Sequence, residues 1–119
     1  MKRFVYIVFV LLLFSACGNK SKTFVPNRLL TEQEMIDVMT DVQIIESDLN
    51  IRKSNQQDIS GLAKSYYTQL FEHYGIRDSI YSENMKYYTM HPAELERIMD
   101  SVMQRLTKAQ SESRRDDSQ

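Results

Sequence analysis

Cys17 is the residue whose type and position predict the most definite chemistry, because it is the single cysteine of the 119-residue chain. A basic pair precedes eleven consecutive apolar residues, 4–14, and the small pair Ser15-Ala16 stands directly before the cysteine. This order is typical of a signal peptide and its cleavage point. At about 1.5 Å per residue the apolar run reaches about 16 Å, roughly half of a bilayer core, so it is too short for a permanent span.

The cysteine and the residues before it resemble a bacterial lipobox, in which the signal is cut before the cysteine and the thiol is acylated. Phe14 departs from the motif, which usually has Leu at that place. An ordinary secretory cut fits less well because it requires a small residue where Phe14 stands. We therefore predict a signal peptide over residues 1–16 and acyl chains such as palmitate on Cys17, without a redox role. The alternative is a free thiol in an exported chain.

Glu46 is a second residue that could do chemistry. At about 100° per residue it falls within about 40° of Met35, inside the apolar stripe of the first predicted helix. An ionised carboxylate there needs a donor, so we interpret Glu46 as a structural polar contact, as a ligand-binding or proton-transfer group, or as simply exposed. The candidate donors are three tyrosine hydroxyls and one guanidinium: Tyr66, Tyr67, Tyr88 and Arg105.

Tyrosine is concentrated in one part of the chain. The six tyrosines that follow Cys17 lie between Tyr66 and Tyr88, and most of them fit helical stripes, so core packing explains them. Tyr67 and Tyr87 each stand beside another tyrosine, so not every ring in the two pairs can face one core. Because Tyr is enriched at protein interfaces, we predict a partner surface at Tyr67 and Tyr87.

The remaining residues lack the patterns of common catalytic and metal sites. One cysteine and two histidines, His73 and His91, are too few for a Cys/His zinc cage and have no ligand spacing. Three ungrouped glycines form no phosphate-binding loop and no nucleophile elbow. We therefore predict no metal, no cofactor and no enzymatic activity. The formal net charge of −1, or −3 once residues 1–16 are removed, argues against nucleic-acid binding.

Gly and Pro together make up only 5 of the 119 residues, which argues against a turn-rich β fold. The elements that position the residues above are therefore expected to be helices. Thr31 and Glu34 have the spacing of a capping box. Apolar residues then repeat every three or four positions from Met35 to Leu49. This pattern predicts a first helix that runs to about residue 50.

Three further helices are predicted by the same signals. The second covers about residues 58–74 and ends at Gly75, and the third covers about residues 79–90. Pro92 suits the first position of a fourth helix, whose apolar stripe ends at Leu106.

The predicted fold is all-α, a small bundle of about four helices arranged as two α-hairpins over residues 29–107. Residues 17–28 are polar and are predicted to form a flexible tether, whereas residues 108–119 are predicted to form a disordered polar tail. A core of about 80 residues is near the lower limit for stability without staples, so a partner protein or a second copy would supply missing burial.

Several pieces of the chain resemble a known family in their order and spacing: residues 29–35, residues 37–46, Tyr66-Tyr67, Gly75-Ile76, and Tyr87-Tyr88 before Pro92. They resemble the small Bacteroidota lipoproteins called domain of unknown function 4296, over about residues 1–107. The resemblance implies an α-helical, lipid-anchored envelope protein and no particular reaction. In such bacteria, a lysine followed by acidic residues after the lipidated cysteine is similar to the signal that sends lipoproteins to the cell surface. Residues 18–22 contain no acidic residue, which favours the periplasmic face of the outer membrane.

Three functional hypotheses follow from these patterns. The leading one is a non-enzymatic, lipid-anchored helical module that binds another envelope protein as an accessory or assembly factor. The alternative is a small envelope ligand-binding protein or enzyme organised around Glu46 and the tyrosine cluster. A third is a chaperone-like helical hairpin, which would have an apolar cleft between its helices.

The anchoring hypothesis predicts the behaviour of a Cys17→Ser variant. The variant should lose the acyl group and move from the membrane to the soluble periplasmic fraction, because the mildly acidic chain has no attraction of its own to anionic lipid. Fractionation and intact mass measure the two effects. A variant that stays in the membrane would contradict this account of anchoring.

Overall fold

The computed structural model describes residues 24–118 together with Met1, so the predicted signal peptide and Cys17 lie outside the described residues. Four α-helices follow one another: α1 is Glu32–Ser54, α2 is Ser60–His73, α3 is Asp78–Thr89 and α4 is Pro92–Asp116. The described residues contain no strand, which confirms the predicted all-α class. None of their helices is both long enough and apolar enough to serve as a membrane span.

The helix ends follow from local signals in the sequence. The Thr31 hydroxyl accepts the Glu34 N–H at 3.1 Å, and the Glu34 carboxylate accepts the Thr31 N–H at 2.8 Å, which completes the predicted capping box. At the end of α2, Gly75 adopts a φ of +62°, a left-handed conformation that favours glycine. The Ile76 N–H donates to the Phe71 carbonyl at 3.0 Å and closes a Schellman motif.

α1 is the central helix, with α2 packed on one side and α4 on the other. α2 follows the short connection 55–59 and runs antiparallel to α1. The ion pairs Glu32–Arg97 and Asp37–Arg105 advance along both helices in the same direction, so α4 runs parallel to α1. α3 packs against α4 and forms the second helical pair.

The hydrophobic core lies at the end of the bundle where α1 begins. Most buried residues of α1 belong to its first half, and Leu49 is the single buried residue after Val42. α4 likewise buries Ile98 and Val102 from its first half. The residues of the core cluster are Leu30, Met35, Ile36, Val38, Met39, Val42, Leu70, Ile76, Tyr88, Ile98 and Val102. The far end of the bundle is therefore less completely filled.

Residues 24–31 form a segment without regular secondary structure, the strap, which a fully buried asparagine holds against α3. The Leu30 N–H donates to Asn84 Oδ1 at 2.7 Å, and Asn84 Nδ2 donates to the Arg28 carbonyl at 2.7 Å and to the Ile80 carbonyl at 2.8 Å. The Tyr88 hydroxyl donates to the Leu30 carbonyl at 2.6 Å. Because buried backbone groups need partners, these bonds fix the strap to α3.

The predicted flexible tether over residues 17–28 is wrong for its last five residues. Pro26 is buried, and the Asn27 N–H donates to the Glu83 carboxylate at 3.2 Å. The Lys86 ammonium lies 4.3 Å from the centroid of the Phe24 ring. A polar composition favours a flexible tether when the segment makes no contacts with the folded domain. Here α3 provides such contacts.

The predicted disordered tail over residues 108–119 is also wrong, because α4 continues to Asp116. The apolar stripe ends near Leu106, but the residues that follow are mostly good helix formers, and adding them to an existing helix requires no new nucleus. Lys108 and Glu112 form an ion pair at 3.9 Å, and a basic pair near the carboxyl end suits the helix dipole.

The strap contacts predict a large loss of stability for Asn84→Ala, of about 2 to 4 kcal/mol, because the substitution leaves buried N–H and C=O groups without partners. Tyr88→Phe, which removes one hydrogen bond, should cost about 1 kcal/mol. Urea unfolding followed by circular dichroism measures both changes. Asn50→Ala, at an exposed position of α1, is the matched control and should be nearly neutral. An equal effect at both asparagines would contradict the role of Asn84.

Candidate functional site

Glu46 lies at the surface of α1 and not in the core, which agrees with the interpretation of an exposed carboxylate and contradicts that of a carboxylate buried in the apolar stripe. Its carboxylate accepts a hydrogen bond from the Tyr67 hydroxyl, as predicted for one of the candidate donors. Arg105 is engaged elsewhere, with Asp37. Most buried residues of α1 lie at or before Val42. Glu46 comes after Val42, at the margin of the apolar stripe, and therefore faces solvent.

The other predicted donors do not gather around Glu46. Tyr88 is buried at the strap, where its hydroxyl bonds the Leu30 carbonyl. Tyr66 is half-buried on the other side of α1, where it lines a groove with Asp48. The predicted polar cluster of Glu46, Tyr66, Tyr67 and Tyr88 is therefore not one site.

Both residues of the predicted partner surface are half-buried and packed within the domain. The Tyr67 ring stacks on Phe71 with centroids 6.1 Å apart. The Tyr87 ring stacks on His91 at 4.0 Å and meets Tyr88 edge-on at 5.2 Å. These contacts use one face of each ring and leave the prediction of a partner surface at Tyr67 and Tyr87 open.

A trough runs along the distal half of α1 and consists of two open grooves that share Ile44 and Asp48. The first groove lies between α1 and α2 and has a volume of about 440 Å³. The second lies between α1 and α4 and has a volume of about 690 Å³. The trough residues used below are Ile44, Asp48 and Ile51 from α1, Tyr66 and His73 from α2, and Met103 and Leu106 from α4.

Apolar side chains are exposed along this trough. Ile44 is 50% exposed, Ile51 is 59% exposed and Met103 is 58% exposed. Ile44 and Ile51 are seven residues apart, which places them on one face of α1 two turns apart. Adjacent exposed apolar side chains in a groove are typical of an interaction site, whereas single ones are ordinary.

The two carboxylates at the trough have partners within the domain. Asp48 pairs with Arg52 at 2.7 Å, and this hydrogen bond is the main reason that the pKa of Asp48 is lowered. Asp41 accepts the Tyr74 hydroxyl at 2.5 Å. Because these carboxylates are engaged, the trough offers mainly apolar contact to a ligand.

Between residues 24 and 118, no three side chains of the types that bind metal ions come together.

Two features of the structure were missed by the sequence analysis. Asn84 stands four residues after Ile80 and four before Tyr88, so it lies on the apolar face of α3, and a polar residue at that place is the signal that could have found it. Ile44 and Ile51 could have been noticed, because they are apolar residues outside the main stripe of α1. Met103 belongs to the predicted stripe of α4 but lies beyond the filled part of the core.

A protein-family model described as "Domain of unknown function (DUF4296)" matches residues 26–112 of the chain. The matched range begins within the strap and ends in the second half of α4, so it includes part of each segment that departs from the predicted tether and tail. No curated protein and no solved structure gives a significant match.

The contact between Tyr74 and Asp41 predicts a loss of stability in alkali. Burial, and then the Asp41 carboxylate, raise the pKa of Tyr74 above its ordinary value of about 10. Since the folded state holds the proton more tightly, this stabilisation is complete below about pH 10 and is lost as the pH rises above it. Tyr74→Phe should therefore lower the unfolding free energy at neutral pH by about 1 kcal/mol and flatten its decline in alkali.

Urea unfolding at a series of pH values, with tyrosinate absorbance recorded in parallel, tests this prediction. Asp41→Asn is the matched control, because it keeps an acceptor oxygen and removes the negative charge, and it should also flatten the decline. The interpretation would be wrong if Tyr74→Phe and the unsubstituted protein lost stability with the same slope above about pH 10.

Proposed function

The chain belongs to the family described as Domain of unknown function (DUF4296), and from this membership we propose that it is a lipid-anchored cell-envelope protein whose helical domain binds another envelope protein. The observation that carries the binding role is the trough. Its exposed apolar side chains and its engaged carboxylates suit contact with another protein better than proton transfer.

We propose an amphipathic α-helix of the partner as the occupant of the trough. Ile44 and Ile51 present apolar groups two turns apart, which is the repeat that a partner helix offers at positions i, i+3, i+4 and i+7. Met103 supplies a third contact from α4. Covering the exposed halves of these three side chains would contribute about 1 kcal/mol each, so further contacts at the rim must add to a stable complex.

The anchor in this proposal is the acylated Cys17, with palmitate among its acyl chains. Removal of residues 1–16 leaves a mildly acidic chain, so the acyl group must supply the affinity for the membrane. Residues 18–22 contain no acid, and the resemblance to Bacteroidota lipoproteins favours the outer membrane with the domain facing the periplasm. We propose no enzymatic activity and no cofactor.

A small-ligand function is the second candidate, and one observation favours it. The groove between α1 and α2 has a volume of about 440 Å³ and is lined by apolar side chains together with Asp41, Asp48 and His73, within the size range of small-molecule sites. This groove would replace Glu46 as the place for a ligand, because Glu46 lies outside it.

The partner-helix proposal predicts site-specific crosslinking in native membranes. A photoreactive residue at Ile51 of the acylated protein should crosslink to one amphipathic segment of a single partner, identified by mass spectrometry. Met103→Glu should remove most of this crosslink, because a carboxylate would be buried against the apolar face of the partner. Both positions are more than half exposed, so the domain itself should keep its stability.

Met99→Glu is the matched control, because Met99 lies one turn earlier on α4, is 39% exposed and does not line the trough. It should leave the crosslink unchanged. A crosslink to a second copy of this chain, or equal loss with both glutamates, would contradict the proposed partner. Unchanged crosslinking together with protection of the trough by a small molecule would favour the second candidate.

A further inference from the structure

The strap determines which end of the domain a lipid anchor would hold close to the bilayer. Phe24 is already docked on α3 under Lys86. Residues 18–23 separate it from Cys17 and span about 25 Å at full extension. This inference rests on the proposed lipid anchor, because without an acyl group on Cys17 the strap has no reason to face a membrane.

The strap buries two of its side chains and exposes two apolar ones. Pro26 and Leu30 are buried, whereas Val25 is 65% exposed and Leu29 is 47% exposed. Asn27 and Arg28, at a bend of the strap, are exposed between these two apolar side chains. The exposed side of the strap therefore presents two apolar groups on a backbone that is fixed by Asn84.

A cationic group stands beside these apolar side chains. Lys86 is exposed and contacts the Phe24 ring. Arg28 is paired with Glu34 at 3.3 Å, and Glu83 accepts the Asn27 N–H. Apolar groups beside a lysine match a phospholipid surface, which offers an apolar boundary beneath anionic phosphates.

The trough lies at the other end of the domain. Ile51 follows Thr31 by 20 residues along α1, which corresponds to about 30 Å at the rise of an α-helix. A domain that rests on the bilayer with its strap end, and with α1 directed away from the surface, would hold the distal end of the trough away from the bilayer.

We propose that the outer side of the strap, Val25 and Leu29 together with Lys86, is a membrane-contact face that lies on the phospholipid headgroups next to the acylated Cys17. Val25 and Leu29 enter the interface between headgroups and acyl chains, and Lys86 contacts phosphate. The trough then opens toward the aqueous compartment, where a partner can reach it.

The chain contains no Trp, so a single introduced Trp reports its own surroundings by fluorescence. Val25→Trp and Ile51→Trp are made separately in the acylated full-length protein, which is inserted into phosphatidylethanolamine and phosphatidylglycerol vesicles whose acyl chains carry bromine as a quencher. Both positions are more than half exposed, so neither Trp requires repacking of the core. Leu29→Trp repeats the measurement at the second strap position.

The V25W and L29W proteins should lose most of their Trp emission in brominated vesicles relative to unbrominated ones, with a shift to shorter wavelength, whereas I51W should lose almost none. Two outcomes in protein whose acylation is verified by mass would overturn the membrane-contact face and leave the anchor intact. One is equal quenching at positions 25 and 51, and the other is no quenching at position 25. Absence of the acyl mass on Cys17 would overturn the anchor itself, and the membrane-contact face with it.

Discussion

The hydrogen bonds of Asn84 are the constraint on which the rest of the structure depends. One buried amide joins the Leu30 N–H, the Arg28 carbonyl and the Ile80 carbonyl, which belong to two distant parts of the chain. Each of these groups would cost about 1 to 3 kcal/mol if it were buried without a partner, so the strap and α3 have one relative position. The capping box at Thr31 follows the strap directly, and the start of α1 is therefore fixed as well.

The core is complete at this fixed end and incomplete at the other. A domain of this size has few residues with which to cover both ends of a 23-residue central helix. α2 and α4 both pack on α1, but α4 buries Ile98 and Val102 near its start, and its later residues are mostly exposed. The trough is what remains where the helices continue beyond the filled core, and this places it far from the strap.

The helices were predictable because their signals are local. A capping box, a glycine at the end of α2 and a proline at the start of α4 act within a few residues, so their spacing in the sequence is enough. The end of α4 was not predictable from its apolar stripe, because helix propensity and the Lys108–Glu112 pair extend it after the stripe ends. The exposure of Glu46 has a related cause. Periodicity predicts the side of α1 on which Glu46 lies, but it does not show where the neighbouring helices stop covering that side.

By itself, the sequence determined the helical class, most helix boundaries and the absence of familiar catalytic motifs, because each depends on residue types and short spacings. Only the tertiary structure decided that residues 24–28 belong to the domain, that Tyr67 is the donor to Glu46, and that Ile44, Ile51 and Met103 share a trough. The physical reason is distance along the chain. Asn84 and Tyr88 meet Leu30 across 54 and 58 residues, and such contacts arise when packing brings distant surfaces together.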